Sequence, residues 1–522
     1  MSILSERMPA AGPSAGPRAL LQTATFVTVG AIAFLAATRV AAPSVTVAVG
    51  LAAGIGIAVW MFFSESMDGP LVVFLLYLGL LDGFLKLRTN SSVITLGRDA
   101  LLFAIELGFL ARAVLQRRRL SLPPLSGWPL AFTVLVLAQI ANPADGSLVH
   151  TLGALRPHLE FVPLFFVGYA VLQTPKRLRA FFMILVVIAA ANGIVGAIQL
   201  DLTPAQLSAW GPGYAARIEG TGTGVNQVSA RVFYTSSGAA RTRPFGLGDD
   251  SGVGGGWGML ALGGALALVA LATRRTVGRF ALLLCLGPPL AIVSGESRAV
   301  LVASLIALVA YICLATTARR LVPTLMGVVF GLAALVAVVA YISSVAGAGV
   351  FDRYATITPS KIAATTNADR GSSLSLIPTF FTKYPLGNGL GSSGPAAEFA
   401  GGGNTGSNAE TEPTFLLSEL GIPGLLLVAG FYLRLLWLGV TRVRRLEPDT
   451  RIFVAALLAG FFALATMWVA STTTDTSPYA PYTWFAGGAL SYWLVTHLQR
   501  DETPRRRAGP GMAVATRARV SA

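Results

Sequence analysis

LVPTLMGVVFGLAALVAVVAYIS at 321–343 and PTFLLSELGIPGLLLVAGFYLRLLWLGV at 413–440 are apolar runs on either side of a polar segment, 344–411. Each run reaches the roughly 20 residues that a helix needs to cross about 30 Å of hydrocarbon. The segment between them holds Arg353, Lys361, Arg370, Lys383, the run YPLGNGLG at 384–391 and Glu410, with Glu412 just beyond. A short turn is enough to reverse a chain at a membrane surface. A loop this long on one face points to binding or chemistry on that face.

Outward from this pair, the same pattern fills the chain. It has 522 residues, 54% hydrophobic and only 12% charged, half the charge of a typical soluble domain. About 14 apolar blocks of spanning length are predicted: 21–42, 44–63, 70–86, 99–115, 128–142, 159–174, 178–200, 253–273, 277–293, 297–316, 321–343, 413–440, 451–470 and 482–498. The blocks at 70–86, 128–142 and 159–174 are short. The expected fold class is therefore an all-α polytopic integral membrane protein with about 12–14 transmembrane helices, and a large external loop between the spans ending near 343 and starting near 413. Residues 1–500 read as a single polytopic membrane domain, and 501–522 as a basic, disordered cytoplasmic tail. Arg7 and Arg18 precede the first block without a small-residue cleavage site after it, so that block reads as a retained span. The two cysteines, Cys285 and Cys313, lie inside apolar blocks and give neither a disulfide framework nor a metal spacing.

The net charge of +15 could suggest nucleic acid, but its distribution argues for topology instead. Basic clusters occupy short connections: Arg117–Arg119, Lys176–Arg179, Arg274–Arg279, Arg319–Arg320 and Arg442–Arg451. With the N-terminus cytoplasmic, alternating spans put all of them, and the C-terminus, on the cytoplasmic side of the inner membrane, as the positive-inside rule expects. Contact with anionic membrane lipids accounts for them, and no nucleic-acid partner is called for. The acidic turn SESMDGP at 64–70 runs against this trend. The same alternation places 143–158, 201–252, 344–412 and 471–481 outside. The loop 201–252 is rich in Gly, Ser and Thr, which fits irregular or short-strand structure.

Charged residues at the outer edges of spans are the candidates for chemistry. Arg243 in RTRPFGLGDD, Arg298 in SGESRAVLV and Arg370 in NADRGSS are all predicted outside, against the positive-inside trend. A guanidinium presents a planar fork of donors suited to phosphate oxygens and stays charged at any working pH. Three converging would make a diphosphate site; taken singly, each reads equally well as an interfacial Arg reaching lipid headgroups. The acids are Asp249, Asp250, Glu296, Glu410, Glu412 and Glu419. A carboxylate beside an acceptor hydroxyl can take its proton. For Asp250 and Glu296 ion pairing with nearby arginines is the better reading, and Glu419 in SELGIPG reads as structural. His150 and His158 have no companion at metal-ligand spacing, so no metal is expected. GLGDDSGVGGG (246–256) and PLGNGLG (385–391) do not follow a predicted strand and match neither a P-loop nor a dinucleotide fingerprint, so no nucleotide cofactor is expected.

RPFGLGDDSGVGGGWGMLAL (243–262), SGESRAVLVASL (294–305), RGSSLSLIPTFFTKYPLGNGLGSSG (370–394) and ETEPTFLLSELGIPGLLL (410–427) together resemble the O-antigen ligase/polymerase superfamily of membrane glycan transferases. The likeness lies in the order of the motifs and the length of the external loop. It implies transfer or polymerisation of an undecaprenyl-diphosphate-type, lipid-linked glycan at the outer face of the cytoplasmic membrane, inverting and without metal. The acceptor would be a hydroxyl on a second glycan, a glycolipid or a protein. The resemblance implies that Arg243 and Arg298 hold the diphosphate and that Arg370 closes the loop over the donor. Many members carry a His-Asn pair shortly before the acidic-Leu-Gly motif. Counting back from Glu419, that position here holds Glu410–Thr411, so Glu410 would be the base, with Glu412 second. The alternative is a multispan transporter or flippase for a lipid-linked glycan, which would carry charges near mid-span. By sequence the charges gather at span edges, Glu106 being the main exception.

Overall fold

The computed structural model describes residues 43–116, 122–142, 148–220, 232–234, 238, 240–272, 279–316, 371, 373–393 and 411–500, with single positions 326, 329, 333, 337, 341 and 354. The block at 21–42, nearly all of 321–343, both Arg370 and Glu410, and the tail 501–522 lie outside these residues.

The described chain is mostly helical. Six helices are long and apolar enough to cross a membrane: Asp68–Thr89, Pro175–Leu200, Val253–Leu271, Arg298–Ala315, Glu412–Arg445 and Pro448–Met467. Shorter apolar helices cover Ala48–Phe63, Gly127–Ala141 and Ala281–Ser294. The chain is thus a multi-pass membrane protein by the length and composition of its helices.

In chain order the helices are α1 (Pro43–Phe63), α2 (Asp68–Leu76), a π-helical turn (Tyr77–Asp82), α3 (Gly83–Thr89), α4 (Ser92–Leu115), α5 (Gly127–Ala138), α6 (Leu148–Leu159), α7 (Leu164–Val171) and α8 (Pro175–Leu200). Two short helices, α9 (Pro204–Ser208) and α10 (Pro212–Glu219), and the strands β1 (Val232–Tyr234) and β2 (Ala240–Thr242) follow. The strands pair antiparallel with Phe233 opposite Arg241. Then come α11 (Val253–Ala272), α12 (Arg279–Leu284), α13 (Gly287–Ser294), α14 (Arg298–Ala315), α15 (Ile377–Lys383), α16 (Glu412–Arg442), α17 (Pro448–Met467) and α18 (Tyr479–Ser491), the last continued by a π-helical turn, Tyr492–His497.

Helix α11 is the hub. It packs on α8, α13, α14 and α17, while α7 packs on α18 and α1 on α4. The α7–α18 crossing is a backbone-to-backbone contact. A Cβ on Gly168 would fall 1.9 Å from the Phe485 carbonyl oxygen, and one on Gly488 equally close to that of Phe165. Small residues at such crossings are how helices associate where lipid supplies no hydrophobic drive. The outward faces are apolar. On α16, Leu426, Leu433, Trp437 and Val440 are exposed, spaced as one helical stripe, while Val428, Phe431, Tyr432 and Leu435 are buried behind them. A stripe of that kind suits hydrocarbon and not water.

Three expectations are corrected. The block at 159–174 is not one span: the chain turns at 160–163, around Pro163, before an eight-residue α7. The preceding outer turn, 143–158, is helical from 148 as α6. The block at 277–293 is likewise divided, into α12 and α13. The loop 201–252 carries the short strands expected of it, and two helices besides.

Candidate functional site

Several of the connections expected outside contact one another in pairs. Two buried amides on α8 set the first of them. Gln199 Oε1 accepts from Phe245 N and Gly246 N, both at 2.8 Å, and its Nε2 donates to the Gly246 carbonyl at 2.9 Å. Asn192 Oδ1 accepts from Leu247 N at 2.9 Å while its Nδ2 donates to the Gly79 carbonyl at 2.8 Å, in the π-helical turn. A buried amide held through both its oxygen and its nitrogen has little freedom. These two fix the turn that follows Arg243, a half-buried residue.

The second connection lies against the first. Gly252 N donates to the Pro244 carbonyl at 3.1 Å, and a Cβ on Gly252 would sit 3.2 Å from Ser297 Cβ. Ser297 caps α14 by accepting from Val300 N at 3.5 Å, so half-buried Arg298 is the first residue of that helix. The segments bearing Arg243 and Arg298 therefore adjoin, though 55 positions apart in sequence. Glu296, between them, is buried with left-handed backbone at φ 47°. That conformation costs a non-glycine residue on the order of 1 kcal/mol. From the large loop, the Tyr354 hydroxyl donates to the Val293 carbonyl at 2.9 Å, at the end of α13.

The third connection joins the two glycine motifs. Asn388 N donates to the Ser418 carbonyl at 2.7 Å, and Ile422 N to the Pro385 carbonyl at 2.8 Å. Gly421, at φ 66° and ψ −162°, breaks α16, and Pro423 follows without an amide hydrogen. A Cβ on Gly421 would meet Gly387 N at 2.4 Å. YPLGNGLG and SELGIPG are thus two halves of one backbone contact.

At this break lies a pair that the sequence left as two isolated residues. His158 Nε2 donates to Glu419 Oε2 at 2.6 Å, and both side chains are fully buried. The imidazole stacks on Phe415, ring centroids 5.2 Å apart. Glu419 Oε1 accepts from Ser393 N at 3.2 Å. The interruption at 160–163 and the one at Gly421 therefore face each other across a histidine and a carboxylate.

Glu412, the second choice as base, is anchored. Its Oε2 accepts from Thr473 N, from Thr473 Oγ1 at 3.2 Å and from Thr474 N at 3.3 Å, and its Oε1 accepts from Thr474 Oγ1 at 2.5 Å. Its own amide donates to the Trp468 carbonyl at 2.9 Å. A carboxylate with no exposure and four donors ties α16 to the turn after α17. Arg370 and Glu410 fall outside the described residues, so the site is built here without them.

Several charges are held in ion pairs. Lys86 bonds Asp82 at 2.8 Å and Asp249 at 3.3 Å, and both Asp82 and Lys86 belong to the Asp68–Thr89 span. Arg98 meets Glu160 at 2.7 Å and Asp99 at 3.1 Å, and Arg156 meets Asp99 at 2.8 Å. Burial works against the Asp249 charge, but Lys86 and Arg217 outweigh it and hold this carboxyl below its usual range. Ion pairing is thus found for Asp249 and Asp250, with Lys86 and with Arg217 at 4.0 Å. Sequence spacing could not show partners that lie 163 and 33 positions away. Asp475 also went unremarked. Its signal was a lone acid in the polar turn STTTDTSP, 471–478, between two apolar blocks. No group of three or more metal-ligating side chains occurs among the described residues. No protein-family model, curated protein or solved structure matches this chain.

Proposed function

We propose that the protein transfers or polymerises a polyprenyl-diphosphate-linked glycan onto an acceptor hydroxyl, at the outer face of the cytoplasmic membrane. The observation that carries this reading is the pairing of sequence-distant segments, 243–252 with 294–298 and 384–393 with 411–422. These are the segments on which the resemblance to O-antigen ligases and polymerases rests. Arg243 and Arg298 sit on adjoining, rigidly held turns, and their guanidinium forks suit the two phosphates. There they would stabilise the charge that grows on the leaving diphosphate. Arg370 remains the residue assigned to close the loop over the donor.

Replacement of Arg243 or Arg298 by Ala in cells tests this. The expected result is loss of the glycan product, with the lipid-linked donor accumulating in the outer leaflet. Normal product in both variants would refute the site.

A flippase is the second reading, and one observation favours it. Asp82 and Lys86 lie within a span, and half-buried Glu106 in α4 has an oxygen with no partner among the described residues. Charges at such depth mark translocation paths in other membrane proteins. Under that reading the same variants would accumulate the donor in the inner leaflet.

A further inference from the structure

The turn 471–478 joins α17 to α18 and carries Asp475. The residue is 7% exposed, and among the described residues neither carboxylate oxygen has a hydrogen bond of good geometry, although the Thr472 hydroxyl lies close to it. Buried polar groups are nearly always satisfied, so an acid left open in this way calls for an explanation. Its surroundings supply one. Glu412 and Glu419 from α16 and His158 from α6 are the charged and titratable groups that act on it, with the Thr472 hydroxyl beside it. Each of the other two acids is already engaged, Glu412 by Thr473 and Thr474, and Glu419 by His158 and Ser393. Ser393, on the glycine-motif side of the Glu419 pair, keeps a buried hydroxyl with no partner among the described residues. Of these three acids, Asp475 is the one with neither oxygen held in this way.

We propose that Asp475 is the proton acceptor for the incoming hydroxyl, a catalytic residue in the turn that holds Glu412 at the start of α16. This rests on the transfer reading above. In the step, the acceptor O–H bond breaks and its proton passes to Asp475. The acceptor oxygen bonds to the anomeric carbon of the donor sugar. The bond from that carbon to the diphosphate oxygen breaks, and its electron pair leaves with the diphosphate. His158 and Glu419 hold the Ser393 turn and are positioning residues. Burial and the Glu412 carboxylate push the Asp475 carboxyl up to about 7, Glu419 adding to this, while Thr472 and His158 pull it back. A base works best when its own proton affinity matches the operating pH.

The test is turnover in proteoliposomes made with purified protein, with lipid-linked glycan extracted from cells that carry the gene as donor. Wild type should form product at a rate that rises with pH through about 7. Asp475→Asn should lower the rate by about 10²–10⁴-fold with unchanged donor binding, the loss typical of removing a general base. Asp475→Glu should restore part of the rate with a displaced pH profile. An infrared titration of the carboxyl stretch, wild type minus Asp475→Asn, should show a group titrating near neutrality in the ligand-free protein, which also verifies that the variant folds. Wild-type rate and pH profile in Asp475→Asn would overturn the assignment while leaving the transfer reading intact. No product from wild type at any pH would overturn the transfer reading, and the assignment with it.

Discussion

Asp475 and His158 make opposite statements about stability. The Asp475 carboxyl lies at about 7 in the folded chain against an ordinary value of 3.8. The folded state therefore holds an extra proton between those values, and stability falls as pH rises through that window. Above the window the deficit is fully developed, on the order of 4 kcal/mol. Asp475→Asn should match wild type near pH 4 and exceed it near pH 8 in thermal unfolding, as expected where a site keeps a strained charge for use. His158 stabilises through its contact. His158→Ala strips Glu419 of its side-chain donor in a fully buried place and should cost about 3–5 kcal/mol. A double-mutant cycle with Glu419→Ala should return a coupling well above 1 kcal/mol, and additive losses would show that the pair does not act as a unit. Neither residue could be ranked from sequence. A lone histidine and a Glu in an apolar helix gain meaning only when a fold brings positions 158 and 419 together.

Helices and turns were more legible than their interruptions. The apolar runs at 178–200, 253–273, 297–316, 413–440 and 451–470 are helices close to the expected limits, because uninterrupted hydropathy of spanning length leaves the backbone no other way to satisfy itself in lipid. The runs at 159–174 and 277–293 contain prolines, and hydropathy alone does not register where proline removes a backbone donor. The break at Gly421 was hidden for a related reason: the sequence there stays apolar while φ and ψ leave the helical region. Gly421→Ala would place a Cβ in a conformation that only glycine adopts readily, and against the Gly387 backbone. It should destabilise the protein by about 3 kcal/mol or more in detergent, measured by thermal unfolding. An equal effect on melting and on the accessibility of the 384–393 turn would identify the two glycine motifs as one structural element.

For the molecule as a whole, the positive-inside pattern predicts one orientation. Beyond its break at Gly421, α16 continues over 422–442 to the basic end at Arg442, a length of about 30 Å and enough to cross the hydrocarbon. In a background lacking Cys285 and Cys313, Ala205→Cys should react with an impermeant thiol reagent on intact cells. Glu447→Cys should react only after permeabilisation. The reverse pattern would invert the topology and remove the external site. The proposed chemistry stands on the motif resemblance and the pairing of its segments, and a reconstituted assay addresses it most directly. Purified protein in proteoliposomes, supplied with lipid-diphosphate-linked glycan and acceptor on the site-bearing face, should convert donor into elongated or transferred glycan and free lipid diphosphate, and Arg298→Ala should abolish both products. Movement of intact donor between leaflets with no glycosidic bond formed would contradict glycan transfer and establish a flippase instead.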